Sequence, residues 1–126
     1  MPPELLQKLE HRMVLKTGCS PDGVAELRAL AGAGFDLAFI DGDHSFDGVA
    51  RDIRGLLDYL ADTAYLLFHD AYYAEVRAAI DTCITENPRQ LQDCGLICRT
   101  SVWEPDRSAR WGGLRLVAFS RNGFSA

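Results

Sequence analysis

The stretch that decides the fold is "DLAFIDGDHSFDGVARDI", residues 36–53. It runs from an apolar segment directly into Asp41, Asp43 and His44 and then into a helical pattern. An apolar run without clean alternation is typical of a strand covered on both faces, as in a parallel sheet. Two interpretations follow: a strand that simply ends at the protein surface, or a strand whose C-terminal tip builds a ligand site.

The rest of the chain alternates helices with strands. The sequence predicts strands at residues 12–17, 35–40, 65–68, 95–100 and 114–120, and helices at 4–10, after Ser20-Pro21, from Phe46 to Leu60 and at 75–86. Strand–helix–strand repeats favour parallel pairing with right-handed crossovers. A polar loop, "EPDRSAR", predicts a hairpin-like return between the last two strands. We therefore predict one α/β domain over residues 1–126, its sheet mostly parallel with an antiparallel C-terminal strand pair.

Composition excludes several classes of function. The chain has 126 residues and a net charge of −5, with no basic cluster of the kind that nucleic-acid binding needs. No apolar stretch approaches the roughly 20 residues that span a bilayer, and the N-terminus lacks a secretory signal pattern. The four cysteines lack metal-site spacing and predict free thiols in a reducing compartment. A cytoplasmic protein without nucleic-acid or membrane partners is expected.

Charged residues gather after two strands that we expect to be neighbours. Asp41 follows the first of these strands, and His69 with Asp70 follows the second. In parallel sheets ligands bind beyond the carboxyl ends of the strands. Two carboxylates with a histidine beside each make an oxygen-rich cation site. The alternative is a pair of surface acids that happen to be neighbours, with Asp41 capping its own turn.

The remaining candidates each have a structural alternative. His44 could act as a general base, since imidazole titrates near neutral pH, or could start the helix while bonded to Asp41. Asp43 is expected to serve the turn, and Ser45 is expected to be the N-cap of the helix that follows. Tyr72 and Tyr73 could line a pocket for an aromatic or sugar substrate, or could be exposed loop residues. Two tryptophans that flank the last loop, Trp103 and Trp111, are interpreted as cover for the core or as a lid.

Two segments carry a family resemblance. "FDLAFIDGDHSFDGVARDI" and "YLLFHDAYYAEVRAAID" resemble class I S-adenosylmethionine-dependent methyltransferases, in the branch with an "IDGDHSY" strand end and a following "HD". The resemblance implies a Rossmann-like sheet. It implies that Asp41 faces the methyl-transfer centre and, with Asp70, holds Mg²⁺ in metal-dependent relatives. His69 would replace the asparagine that catechol-type relatives carry after the second carboxylate, and His44 would orient or deprotonate an acceptor hydroxyl.

The resemblance also bears on the cofactor half of the site. Relatives begin with a strand and a glycine-rich loop that hold S-adenosylmethionine. We expect this sequence to start after both, and its sheet to be incomplete on the N-terminal side. Gly18, Cys19 and Ser20 stand where relatives often carry an acid near the adenine, and with Asp41 they are the expected cofactor residues. The "LAFI" strand would then have an open edge. We expect it to pair with residues 12–17, with a partner chain in a homodimer, or with an upstream segment.

The expected function is O-methyl transfer to a small-molecule hydroxyl, assisted by a divalent metal if the site follows its metal-dependent relatives. Two alternatives stay open. One is a non-catalytic module that dimerises through its exposed sheet edge. The other is a metal-dependent hydrolase that uses the same strand tips.

Overall fold

The computed structural model describes residues 2–9, 23–30 and 32–125. Their elements are α1 (Pro3–Leu9), α2 (Val24–Leu30), β1 (Phe35–Ile40), α3 (Phe46–Leu56), β2 (Leu60–His69), α4 (Ala74–Glu86), β3 (Leu91–Glu104) and β4 (Ala109–Ser120). Short 3₁₀ turns cover 57–59 and 105–107. The strand predicted at 12–17 and the Ser20-Pro21 helix start lie outside the described residues.

The strands form one mixed sheet in the order β1-β2-β4-β3. β1 pairs with β2 in parallel, whereas β4 pairs antiparallel with both β2 and β3. The predicted neighbours β1 and β2 and the predicted antiparallel C-terminal pair are therefore confirmed. Among the described strands, β1, β2 and β3 run in the same direction and β4 runs opposite to them, so the expectation of a mostly parallel sheet holds for strand direction. It does not hold for pairing, because β4 makes antiparallel pairs with both β2 and β3. The tight turn at 105–107 forces β4 to return antiparallel, and β4 then separates β3 from β2.

β2 starts five residues earlier than predicted. The apolar period of α3 continues to Leu60, but the helix ends at Leu56 and Leu60 is already paired with Phe35 of β1. Arg121 donates hydrogen bonds from Nη2 to the carbonyl oxygens of Leu57 and Leu60, at 3.4 and 2.5 Å. A partner about sixty residues away in the sequence thus satisfies carbonyls that a longer helix would have used.

The start of α3 agrees with the sequence. The Ser45 hydroxyl accepts a hydrogen bond from the Gly48 N–H at 3.0 Å, which confirms it as the N-cap. Asp43 Oδ1 accepts from the Ser45 N–H at 2.8 Å, so Asp43 serves the turn as expected. A Cβ at Gly48 would lie 2.5 Å from the Asp43 carboxyl carbon, and only glycine fits there.

The core lies between one face of the sheet and the helices α3 and α4. Its largest fully buried side chains are Ile53, Leu60, Leu66, Phe68, Ile80, Cys83, Val117 and Phe119. On the other face Leu37 and Phe39 of β1 are 59% and 56% exposed. The expectation that β1 is covered on both faces is therefore not met by the described residues, because α3 and α4 pack on a single face.

Two further predictions concern the described residues. Cys83, Cys94 and Cys98 are free thiols, as expected, while Cys19 lies outside the described residues. Among the helices that the structure describes, none has the length and apolar character to cross a bilayer.

Candidate functional site

The parallel pairing of β1 and β2 brings their charged ends together. Ile40, the last residue of β1, is in register with Phe68, one residue before the end of β2. The residues that follow, Asp41 on one strand and His69-Asp70 on the other, therefore lie at the same edge of the sheet. Their proximity follows from the register of the two strands, which chance exposure at a surface would not produce.

Four side chains meet at that edge and form what we call the Asp–His cluster: Asp41, His44, His69 and Asp70. His44 Nε2 and His69 Nδ1 lie 2.7 and 2.9 Å from Asp70 Oδ2. The same two nitrogens lie 3.9 and 3.4 Å from Asp41 Oδ1. The structure thus brings together the residues that the sequence proposed for catalysis and for metal binding.

Asp70 is the buried member of the cluster, with 8% of its surface exposed. Its Oδ1 accepts a hydrogen bond from the Gly112 N–H at 2.7 Å, and its Oδ2 is bonded to His44. Burial acts to raise the pKa of Asp70, but the Gly112 N–H and the two neighbouring imidazoles outweigh it and hold the pKa below its ordinary value of 3.8. Asp70 is therefore an ionised carboxylate at neutral pH.

The backbone at Asp70 is in the left-handed region, with φ of 53°. Asp tolerates this region better than most residues, but it still requires support from the surroundings. That support comes from β4: the N–H groups of Ala71 and Tyr72 donate to the carbonyls of Gly113 and Gly112. Anchoring the tip of β2 on β4 fixes the direction of the Asp70 carboxylate.

His44 is oriented by Asp70 rather than by Asp41. Its Nε2 is 2.7 Å from the ionised Asp70 carboxylate, which can only accept, so Nε2 carries the proton. Its Nδ1 then holds the free lone pair in the neutral ring. The alternative of a bond to Asp41 is not observed, because that contact is 3.9 Å long. His44 also directly precedes the N-cap of α3. It is therefore a helix-entry residue and is also placed to act as a general base.

An aromatic wall stands beside His44. Tyr73 and Trp111 are stacked, with ring centroids 4.4 Å apart and planes 13° apart. The edge of the His44 ring faces both, at centroid distances of 6.0 and 5.5 Å. Trp111 Nε1 donates to Glu104 Oε2 at 2.8 Å, which fixes the indole.

Trp111 is the site residue that the sequence reasoning missed. It was interpreted as core cover or as a lid, and its contact with His44 depends on pairing between β4 and the end of β2. The signal in the sequence is the glycine pair directly after it, Gly112-Gly113, which indicates close approach of other chain segments. Trp103, by contrast, is 56% exposed and covers no core among the described residues.

The two tyrosines proposed for substrate have different surroundings. Tyr73 belongs to the aromatic wall next to His44. Tyr72 packs against Gly113, and the Arg110 guanidinium lies 5.7 Å from its ring centroid. Of these two tyrosines, Tyr73 is therefore the one in ring contact with the Asp–His cluster.

His69 carries an unsatisfied nitrogen. Within the described part of the chain, its Nδ1 is buried and has no hydrogen-bond partner. Asp70 Oδ2 lies 2.9 Å from this nitrogen, close enough for electrostatic attraction, but the pair does not meet the geometry of a hydrogen bond. A buried polar atom left in this state costs free energy unless something else binds it.

The donor atoms of the cluster are suited to a cation. One oxygen each of Asp41 and Asp70 and one nitrogen of His44 lie within 4.8 Å of one another. The nitrogen of His69 lies beside both carboxylates. The described residues therefore offer two carboxylate ligands, Asp41 and Asp70, and either His44 or His69 as a nitrogen ligand.

An open groove of about 680 Å³ adjoins the cluster. It is lined by residues of α2, β1 and α3, and Asp41 is one of them. A volume of this size is in the range of small-molecule sites. Gly18, Cys19 and Ser20, proposed for cofactor binding, lie outside the described residues.

Replacing Gly112 by alanine is expected to destabilise the fold and loosen Asp70. Gly112 has φ of 90°, and a Cβ there would lie 2.6 Å from the Thr100 carbonyl oxygen, which is backbone and cannot rotate away. We expect a loss of more than about 2 kcal/mol in the free energy of unfolding, measured by denaturant titration.

Gly95→Ala is the matched control. Gly95 has a similar φ of 84°, but a Cβ there meets nothing within 4 Å. It should cost only the backbone strain, about 1 kcal/mol. Equal losses for the two variants would show that the close approach at Gly112 contributes nothing.

Comparison with known proteins agrees with this geometry. A family model described as a methyltransferase domain matches residues 4–71, more than half of the chain. The matched segment includes all four members of the Asp–His cluster and ends directly after Asp70. No curated protein matches the chain. On the strength of that match, the chain belongs to the methyltransferase-domain family, within the class I enzymes that use S-adenosylmethionine.

Proposed function

We propose that the protein transfers the methyl group of S-adenosylmethionine to a hydroxyl oxygen of a small molecule. The family supplies the methyl chemistry, and the observation that carries the choice of a hydroxyl acceptor is the His44–Asp70 pair. An ionised carboxylate holding an imidazole by one nitrogen leaves the other nitrogen free to take a proton. A hydroxyl must lose its proton to become a strong nucleophile.

The reaction balances with the residues of this chain. When bound, S-adenosylmethionine would supply the methyl group: the acceptor oxygen would bond to the methyl carbon, and the electron pair of the broken carbon–sulfur bond would stay on sulfur. The hydroxyl proton passes to His44 Nδ1, and the resulting imidazolium is stabilised by Asp70 at 2.7 Å. Asp41, which is exposed and adjacent, would orient the hydroxyl. Most of the rate gain would come from positioning the two reactants in line.

The stacked rings of the aromatic wall favour an acceptor with a planar ring. The Tyr73–Trp111 pair stands directly beside His44, so a ring packed on it would bring its hydroxyl near the cluster. Tyr73 is proposed as a substrate residue on this basis, while Tyr72 is proposed only from its place in the same loop of the sequence. Phenols and catechols are the acceptor class that fits this wall best.

A divalent ion would be held by Asp41 and Asp70 with an imidazole of the cluster. When bound, such an ion would lower the pKa of the acceptor hydroxyl. His44 would still orient the acceptor through its free nitrogen.

The cofactor is proposed to occupy the groove beside β1. Asp41 lies at both the groove and the cluster, so a sulfonium there would be next to the acceptor. Gly18, Cys19 and Ser20 are proposed as cofactor residues from their place in the sequence, where relatives often carry an acid near the adenine. The strand order β1-β2-β4-β3 is compatible with one side of a Rossmann-like sheet, which would place the cofactor at this edge.

A second candidate function is an interaction module. It is favoured by the apolar face of β1, where Leu37 and Phe39 are exposed. A homodimer or an additional segment that covers this strand would bury them. A hydrolase that uses the same strand tips has no observation of its own in its favour.

Calorimetric titration with S-adenosylhomocysteine, with and without a divalent ion, tests the proposal. We expect micromolar binding that is weakened at least tenfold in Asp41→Asn and unchanged in the exposed control Asp58→Asn. Transfer of a labelled methyl group to phenol, catechol and sugar acceptors would then define the substrate. Tight self-association in sedimentation without cofactor binding would favour the interaction module. Metal-dependent hydrolysis indifferent to the cofactor would favour the hydrolase.

A further inference from the structure

The two histidines of the Asp–His cluster differ in the hydrogen bonding of the nitrogen that faces the carboxylates. His44 Nε2 already has a hydrogen-bond partner in Asp70, whereas the buried Nδ1 of His69 has none among the described residues. Both nitrogens lie near the same carboxylates. An ion bound at His69 would give a ligand bond to a nitrogen that has carboxylates nearby but no hydrogen bond, while an ion bound at His44 would have to displace an existing hydrogen bond.

The distances around His69 suit an ion. Its Nδ1 is 2.9 Å from Asp70 Oδ2 and 3.4 Å from Asp41 Oδ1. Ligands that sit at about 2.0–2.1 Å from one ion lie about 3.3 Å apart in a tetrahedral site and about 2.9 Å apart in an octahedral one. The nitrogen is thus spaced from each of the two oxygens as two ligands of a common ion would be.

Mg²⁺ is a poor match for this set of donors. It prefers oxygen ligands, often carboxylates with several retained waters. Imidazole nitrogen suits Zn²⁺ and other divalent transition ions better. The chain has His69 rather than an oxygen donor beside its two carboxylates, and this difference points away from the magnesium that metal-dependent relatives use.

We propose that His69 is the nitrogen ligand of a divalent transition ion held with Asp41 and Asp70, and that His69 shifts the selectivity of the site away from Mg²⁺. This inference rests on the proposed function only for the place of the ion beside the acceptor. It leaves His44 bonded to Asp70 through Nε2 and free at Nδ1. One imidazole is then a ligand, and the other is the base.

The test is calorimetric titration of the full chain with Zn²⁺, Mn²⁺ and Mg²⁺, without cofactor. Zn²⁺ binds most mixed nitrogen–oxygen sites more tightly than Mg²⁺, so the diagnostic quantity is the change in their affinity ratio on substitution. In His69→Asn, which replaces the nitrogen donor by an oxygen, we expect the Zn²⁺-to-Mg²⁺ ratio to fall at least tenfold. His69→Ala should weaken Zn²⁺ at least tenfold, and ¹⁵N spectra of the unsubstituted chain should show the ion at His69 Nδ1.

His44→Ala is the matched control, because it removes an imidazole at a similar distance from the same carboxylates. It should weaken Zn²⁺ binding less than His69→Ala does, and circular dichroism would verify that each variant is folded. Equal or greater loss in His44→Ala, an unchanged ratio in His69→Asn, or no Zn²⁺ binding by the folded chain would overturn the assignment. Zn²⁺ binding through His69 without cofactor binding would keep this inference and reject the proposed methyl transfer.

Discussion

Replacing Phe68 by alanine is expected to lower the free energy of unfolding by about 3–5 kcal/mol. Phe68 is 1% exposed and lies on the core face of β2, the strand that pairs with both β1 and β4. Removing the ring costs the transfer free energy of its carbons and leaves a cavity that a paired central strand cannot close. Small domains have about 5–15 kcal/mol in total, so the variant should be close to unfolding. Urea denaturation followed by circular dichroism measures the loss.

Phe39→Ala provides the control for this prediction. It removes the same ring from the neighbouring strand β1, but from a side chain that is 56% exposed. Its effect on the unfolding of the monomer should stay under about 1 kcal/mol. A loss in Phe39→Ala as large as that in Phe68→Ala would mean that the outer face of β1 is covered in solution. The same comparison at several protein concentrations would show whether a second copy covers it.

Asp70→Asn is expected to reduce methyl transfer by about 10²–10⁴-fold while leaving the protein folded. The amide keeps the shape of the carboxylate and can still accept from the Gly112 N–H. It then presents an N–H to His44 Nε2, so the imidazole must accept there and move its proton to Nδ1. His44 would lose the lone pair that the proposed mechanism uses, since the carboxylate fixes the tautomer.

Two measurements separate this cause from a general loss of structure. Initial rates with labelled S-adenosylmethionine, on the acceptor identified by the phenol and catechol screen, give the loss in activity. The ¹⁵N spectrum of His44 reports its tautomer and should change from Nε2-protonated to Nδ1-protonated. Asp58→Asn, an exposed carboxylate outside the site, should change neither quantity. Full activity in Asp70→Asn would remove the His44–Asp70 pair from the mechanism.

The sequence by itself determined the parts of this protein that depend on neighbouring residues. The apolar run of β1, the Ser45 cap, the turn at Asp43 and the helical period of α4 are local, and the structure has them where they were predicted. The edge at which Asp41 and Asp70 meet was also predictable. It requires only that two consecutive strands joined by a helix pair in parallel.

Only the tertiary structure decided how the site is completed. The hydrogen bond that orients Asp70 comes from Gly112, 42 residues later, and the tryptophan beside His44 comes from the same strand. Both depend on β4 lying between β2 and β3, a pairing that no local pattern specifies. Arg121 likewise ends the helical period early by bonding the carbonyls of Leu57 and Leu60. Periodicity and capping depend on residues that are close in the sequence. These contacts join residues that are far apart in the sequence, so they form only when distant strands pair in the correct register.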